Sequence, residues 1–151
     1  MKHTIKLLTL ALGAAGLVTA AQAQDKVRIG FTTDMSSLYS DVDGKNGAMA
    51  IQMAIDDFGG KVLGMPIELM SADHQNKADI ASNKAREWFE REGVDTATEL
   101  VTTSTALAVM KIAKEMNRVA LMSGPASTPI TNEQCNDVTV HYTYDTYALA
   151  N

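Results

Sequence analysis

Residues 26–72 read KVRIGFTTDMSSLYSDVDGKNGAMAIQMAIDDFGGKVLGMPIELMSA, and this stretch decides the fold class. Val27, Ile29 and Phe31 alternate with Arg28, Gly30 and Thr32, the two-residue period of a strand. A polar, glycine-bearing loop follows over residues 34–47. Ala48, Ile51, Ile55 and Phe58 then recur at helical spacing, and the Gly59-Gly60 pair stops the helix. The glycine-bearing connection KVLGMP (61–66) leads to a second strand over 67–72, IELMSA. Two strands separated by a helix imply a crossover, and a crossover makes them parallel.

The same alternation continues to the end of the chain. Asn76 is placed to cap a helix, with Asp79 three residues on as a weaker form of a capping box. Ala81, Ala85, Trp88 and Phe89 give that helix its apolar face, and Gly93 ends it. A third strand falls between Val94 and Val101, although DTATELV is polar for a buried strand. Residues 104–116 form a helix with Ala106, Met110, Ala113 and Met116 on one side. Strands over 118–122 (RVALM) and 138–142 (VTVHY) complete the order β-α-β-α-β-α-β-loop-β. The expected class is α/β, with a doubly wound parallel sheet.

Composition narrows the chemistry. The 151 residues are 46% hydrophobic and 21% charged, with 13 basic against 18 acidic side chains and a net charge of −5. That balance, without any Lys/Arg run, gives no footprint for nucleic acid. Nine methionines stand against eight aromatics, mostly at helix or strand positions, where they read as adaptable core filler rather than a thioether metal site. A single cysteine, Cys135, excludes an internal disulfide framework and a multi-cysteine metal centre. It is expected either to be buried and inert or to pair with a cysteine outside this sequence.

The first 23 residues read as a secretory signal. Lys2 and Lys6 supply the positive start, LLTLALGAAGLV (7–18) the uncharged run, and Ala21-Gln22-Ala23 the small-x-small cleavage pattern ending at Ala23. The apolar run is short of the roughly 20 residues that span a bilayer. The expected organisation is a signal over 1–23 and one folded unit over 24–151, delivered to the periplasm.

In an open α/β sheet, ligands bind beyond the carboxyl ends of the strands. The loops to search are 34–47, 73–77, 102–105 and 123–131. Thr102, Thr103, Ser104 and Thr105 end a strand and open a helix, so hydroxyls coincide with free N–H groups at a positive dipole end. That suits a carboxylate, and it equally suits plain capping by Thr103 or Ser104. SGPAST (123–128) offers further small donors, or simply a loop punctuated by Pro and Gly. There is no dinucleotide fingerprint, phosphate loop or nucleophile elbow. Three scattered histidines do not make a metal site. Asp73-His74 reads as a loop pair with local hydrogen bonds, with a histidine switch left open. No catalytic residue, metal or cofactor is expected.

The runs IGFTTDMSSLYSDVDGKNGAMAIQMAIDDFGG, GMPIELMSADHQNKADIASNKAREWFE, TTSTALAVMKIAKEMNRVALMSGPASTPIT and VHYTYDTYALAN together resemble the periplasmic substrate-binding proteins of branched-chain-amino-acid-type ABC transporters. The likeness spans the whole chain after the signal. It is nearest to a branch whose members include binders of aromatic and other organic acids. The resemblance implies a periplasmic-binding-protein-like type I fold, of which this chain holds the first lobe and lacks the second. It implies a small carboxylate-bearing ligand, an amino acid or aromatic acid, handed to the membrane permease subunits of an importer, and no enzyme activity. A ligand-sensing domain of a receptor is the alternative. Carried over position by position, the ligand contacts fall on Tyr39, on Thr103, Ser104 and Thr105, on Ala126 and Ser127, and on Tyr142 or Tyr144. Ser37 departs from the family pattern, which has glycine there.

Overall fold

A computed structural model of the chain describes residues 25–99 and 101–151. The signal segment and its cleavage at Ala23 lie outside the described residues. Six strands, β1 (Val27–Thr33), β2 (Lys61–Val62), β3 (Met65–Asp73), β4 (Thr96–Glu99), β5 (Val119–Met122) and β6 (Thr139–His141), form one sheet in the order β2-β3-β1-β4-β5-β6. All pairings are parallel except β2 with β3. The helices are α1 (Gly44–Asp57), α2 (Ala78–Glu87), α3 (Thr103–Glu115) and α4 (Thr146–Ala150).

Strand β1 is the axis of the sheet. It pairs with β3 from Val27↔Ile67 to Thr33↔Asp73, and on its other side with β4 from Ile29↔Thr96. Successive strand residues point to opposite faces, and two glycines reveal what each face meets. A Cβ on Gly47 of α1 would lie 2.7 Å from the Phe31 ring, so α1 rests on the Phe31 face. A Cβ on Gly30 would lie 2.6 Å from the Trp88 ring, which belongs to the opposite layer. There Trp88 joins Ala85, Ala97, Met110, Ala113 and Met122 in the main core, with α2 packed along α3.

Helix α2 does not end at its last α-helical turn. It continues as a π-helical turn over Trp88–Glu92, and both adjacent aromatics, Trp88 and Phe89, are buried. Gly93 closes it in the left-handed conformation at φ 66°, and the Val94 N–H donates to the Trp88 carbonyl. The polar third strand is resolved by its neighbour. Thr96 and Thr98 donate their hydroxyls to the Val119 and Leu121 carbonyls of β5, at 3.1 and 2.9 Å, so β4 lies inside the sheet with those groups satisfied.

Several sequence expectations need correction. Residues 61–66 are more than a connection: Leu63 (φ 52°) and Gly64 (φ 81°) turn β2 back onto β3 as a hairpin. Both central residues have the positive φ of the turn that matches strand twist. Asn76 does not cap α2. It sits in the left-handed region at φ 53° with its N–H on His74, and Lys77 occupies the cap position without a side-chain bond. Helix α1 begins at Gly44, earlier than its apolar spacing indicates, and Phe58 at its end is exposed. The methionines divide: Met110 and Met122 fill the core, whereas Met49 and Met53 stand exposed on α1. Cys135 is exposed, which removes the buried alternative.

One sheet face is open beyond α1. Val119, Leu121 and Val140 are 44%, 39% and 49% exposed, while Ala120 and Met122, on the reverse side of the same strand β5, are fully buried. A parallel sheet is ordinarily covered on both faces, and among the described residues these side chains remain uncovered.

Two stability outcomes follow from this packing. Gly30→Ala forces the Trp88 ring aside and is expected to cost about 1–3 kcal/mol, the overpacking range, read as a lower denaturant midpoint at unchanged slope. Met122→Ala is expected to cost about 2–5 kcal/mol, whereas Leu121→Thr one residue earlier shifts stability by about 0.5 kcal/mol or less. Equal costs at the two positions in chemical denaturation would contradict the open face.

Candidate ligand-binding site

Because β1, β3, β4, β5 and β6 run parallel, their carboxyl ends share one edge of the sheet. The loops leaving that edge carry the candidate ligand-contact residues. Tyr39 follows β1, Thr103–Thr105 follow β4, Ala126 and Ser127 follow β5, and Tyr142 and Tyr144 follow β6.

The start of α3 is arranged for donation rather than capping. Its N-cap is Thr102, which makes no side-chain cap bond. The Thr102 and Thr105 hydroxyls meet each other instead, and Thr105 also donates to the Thr102 carbonyl. Thr105 is fully buried, Thr103 is half-buried, and Ser104 is exposed. The first intrahelical bond is Ala106 N–H to the Thr102 carbonyl. Helix geometry therefore leaves the N–H groups of Thr103, Ser104 and Thr105 outside the helix's own ladder. Their partial positive charge faces the carboxyl edge.

The loop after β5 is pinned from β6 and α4. The His141 ring donates from Nε2 to the Pro125 carbonyl at 2.8 Å, and Thr146 Oγ1 donates to the Ala126 carbonyl at 3.1 Å. The Tyr142 N–H donates to the Met122 carbonyl, and Tyr142 is 86% exposed. Ser127 is nearly buried, and Tyr144 is exposed.

Two carboxylates organise the loop after β1. Asp34 is fully buried and accepts the N–H groups of Ser36, Ser37 and Tyr39 and the Ser37 hydroxyl. Burial by itself would raise its pKa, but the Ser37 hydroxyl and the three N–H donors outweigh this and hold it down at about 2. Asp73, opposite Thr33 at the end of β3, accepts from the Met35 and Gln75 N–H groups and the Ser36 hydroxyl. Burial and the nearby Asp34 charge raise its pKa, and the same three donors bring it below the ordinary value. A third carboxylate, Asp43, caps α1 by accepting from the Gly44 N–H at 2.8 Å and the Thr33 hydroxyl at 2.7 Å. His74 is fully buried in the β3 loop, and its Nδ1 accepts the Asn76 N–H at 3.0 Å, the local bonding expected of it.

At Ser37, where the resemblance implies glycine, the hydroxyl is one of the four donors on Asp34. Sequence reasoning missed Asp34, Asp43, Asp73, His141 and Thr146 as site-forming residues. The D-x-S-S run at 34–37 carried the one available signal, since an Asp preceding serines favours a side-chain-closed turn. Among the described residues, no group of three or more His, Cys, Asp or Glu could hold a metal ion.

A family model described as periplasmic binding protein matches residues 26–151. The chain belongs to the periplasmic binding protein family. A crystal structure of a periplasmic binding protein from Burkholderia mallei is 55% identical over 83% of this chain and 34% of its own, with a TM-score of 0.81. A branched chain amino acid ABC transporter periplasmic ligand-binding protein from Burkholderia xenovorans LB400 is 42% identical, covering 80% of this chain and 32% of that one, with a TM-score of 0.76. An ABC transporter solute binding protein from Rhodopseudomonas palustris BisB5, in complex with 3,4-dihydroxy benzoic acid, shares the fold at 22% identity, 81% and 33% coverage, and a TM-score of 0.74. The chain thus spans about a third of the length of these structures. No match was found among curated proteins. Among the described residues no helix is long and apolar enough to cross a membrane.

The carboxylates make the site loops acid-sensitive. Asp34 and Asp73 have folded pKa values below the ordinary 3.8, so their contribution is complete above that value and declines as pH falls. For Asp34 it is lost as pH passes down through about 2. Acid unfolding followed by near-ultraviolet dichroism is expected to steepen between pH 4 and 2 (roughly the interval separating the two Asp34 values), and Asp34→Asn to remove part of that slope. Asp43→Ala is expected to cost about 1 kcal/mol through loss of the α1 cap, measured by urea unfolding, with Asp43→Ser restoring most of it.

Proposed function

We propose that this chain is the first lobe of a periplasmic solute-binding protein that captures a small carboxylate-bearing solute, a branched-chain or other amino acid or an aromatic acid, for an ABC importer. The observation that carries the reading is the uncapped start of α3 on the shared carboxyl edge. There the N–H groups of Thr103 and Ser104 stand outside the helix ladder beside small hydroxyls. Family membership supplies the rest. The Burkholderia xenovorans relative is described as a branched-chain-amino-acid transporter component, and the Rhodopseudomonas palustris protein holds a benzoic acid.

In this reading the ligand carboxylate lies against Thr103, Ser104 and the Ser127 loop. The rings of Tyr39, Tyr142 and Tyr144 border the rest of the molecule. Thr105 acts from behind, keeping the Thr102 hydroxyl off the helix N–H groups. No bond is made or broken. Binding favours a closed arrangement only as far as that arrangement adds contacts, and the permease receives the loaded protein. The signal over residues 1–23 delivers it to the periplasm.

A chain that covers about a third of its relatives' length supplies only some of the contacts, so binding is expected to be weak, with a dissociation constant on the order of a millimolar, about −4 kcal/mol. Amide shift titrations with isoleucine and with 3,4-dihydroxybenzoate test this. Saturable shifts at Thr103, Ser104 and Ser127, reduced at least fivefold in affinity by Thr103→Pro at the first helical position, support the reading. Pro is tolerated in a first helical turn yet removes the N–H. Shifts elsewhere, or none with any carboxylate probe, overturn it.

A further inference from the structure

The six polar hydrogens of the Met35, Ser36, Ser37 and Tyr39 N–H groups and the Ser36 and Ser37 hydroxyls all point at two carboxylates. Asp34 Oδ1 takes the Ser36 and Ser37 N–H groups at 3.3 and 2.8 Å, and its Oδ2 takes the Ser37 hydroxyl and the Tyr39 N–H at 2.6 and 2.9 Å. Asp73 Oδ1 takes the Met35 N–H at 2.9 Å, and its Oδ2 takes the Ser36 hydroxyl. Asp34 is fully buried at the end of the central strand, and Asp73 stands opposite Thr33 in register. The loop is therefore fastened to two adjacent strand ends, not merely closed on itself. Leu38 (79%) and Tyr39 (36%) are exposed on its outer side, and the exposed Ser36 and Ser37 turn their hydroxyls inward to Asp73 and Asp34.

We propose that Asp34 is a positioning residue that fixes the Tyr39-bearing loop as an apolar, non-anion-binding wall of the ligand site. This deepens the solute-binding reading above and rests on it. The physical argument is one of occupancy. A backbone N–H already committed to a buried carboxylate has no capacity left for a ligand anion. Two ionised carboxylates behind the loop also disfavour a third beside it. The ligand's anionic end is thereby directed to the start of α3, and the Tyr39 ring meets its other end. Charge-assisted bonds of this kind are the stronger class, and the donors are met without rearrangement when a ligand arrives. This is the pre-organisation that lowers the cost of binding.

The test compares the wild-type chain with Asp34→Asn and Ser37→Ala by amide hydrogen exchange and by shift titration with 3,4-dihydroxybenzoate. In Asp34→Asn the new amide NH2 and the Tyr39 N–H or Ser37 hydroxyl compete as donors, so at least one loses its acceptor. The Ser37 and Tyr39 amides are expected to exchange at least tenfold faster while Ala106 and Met122 keep their protection, and probe affinity is expected to fall at least threefold at a temperature well below unfolding. Ser37→Ala removes a single donor and is expected to give a smaller change in the same two amides. If Asp34→Asn does not fold, Ser37→Ala decides by itself. Unchanged exchange at Ser37 and Tyr39, or faster exchange with unchanged probe affinity, overturns the proposal. Absence of probe binding in the wild-type chain instead overturns the solute-binding reading. In that case exchange at Ser37 and Tyr39 still decides whether Asp34 holds the loop.

Discussion

The parallel pairing of β1 with strands on both sides is the constraint from which the other features follow. It places Thr33 opposite Asp73 and aligns Ile29 with Thr96. Every later strand of the sheet then inherits the same direction through β4, β5 and β6. A parallel sheet cannot be joined by tight turns. The chain must return through α1, α2 and α3, and those returns place all the outgoing loops at the carboxyl edge. The site is a consequence of strand direction before it is a matter of any one side chain.

The central strand also sets the tolerances. Its residues must serve two layers at once, with Phe31 fully buried beneath α1 and Gly30 leaving room for Trp88 on the other side. The π turn at Trp88–Glu92 belongs to the same fit, since both Trp88 and Phe89 are buried there. Dense packing of this kind makes single added carbons costly. The exposed face at Val119, Leu121 and Val140 lies outside that regime, because one side of β5 is packed and the other is not.

Electrostatics divides the carboxyl edge into two unlike sides. On the β1 and β3 side, Asp34 and Asp73 carry ionised carboxylates that accept four and three hydrogen bonds. On the β4 and β5 side, the first N–H groups of α3 lie outside its ladder, and the Ser127 loop is held by His141 and Thr146. A carboxylate approaching this edge meets partial positive charge on one side and full negative charge on the other. In the proposed reading, that polarity would orient a small anion before any shape-selective contact is made.

The periodicities of two and 3.6 were enough to read from the sequence the α/β class, the parallel direction of the strands and the loops that gather at one edge. Those properties are local, repeated along the chain and summed over many residues. The hydroxyl run at 102–105 was legible for the same reason, since its position between strand and helix is a matter of order along the chain. Tertiary structure alone decided the rest. Asp34 and Asp73 are far apart in sequence, and only the β1–β3 register makes them partners in one loop. Lys77 rather than Asn76 begins α2 because the turn at His74 uses Asn76 in the left-handed conformation. The polar strand β4 lies inside the sheet because β5 supplies acceptors for Thr96 and Thr98. For the Asp73 loop and for β4 the deciding term is a hydrogen bond between distant residues, and at Asn76 it is a bond within the turn to His74. A single sequence records who can donate and who can accept, but the fold determines which of them meet.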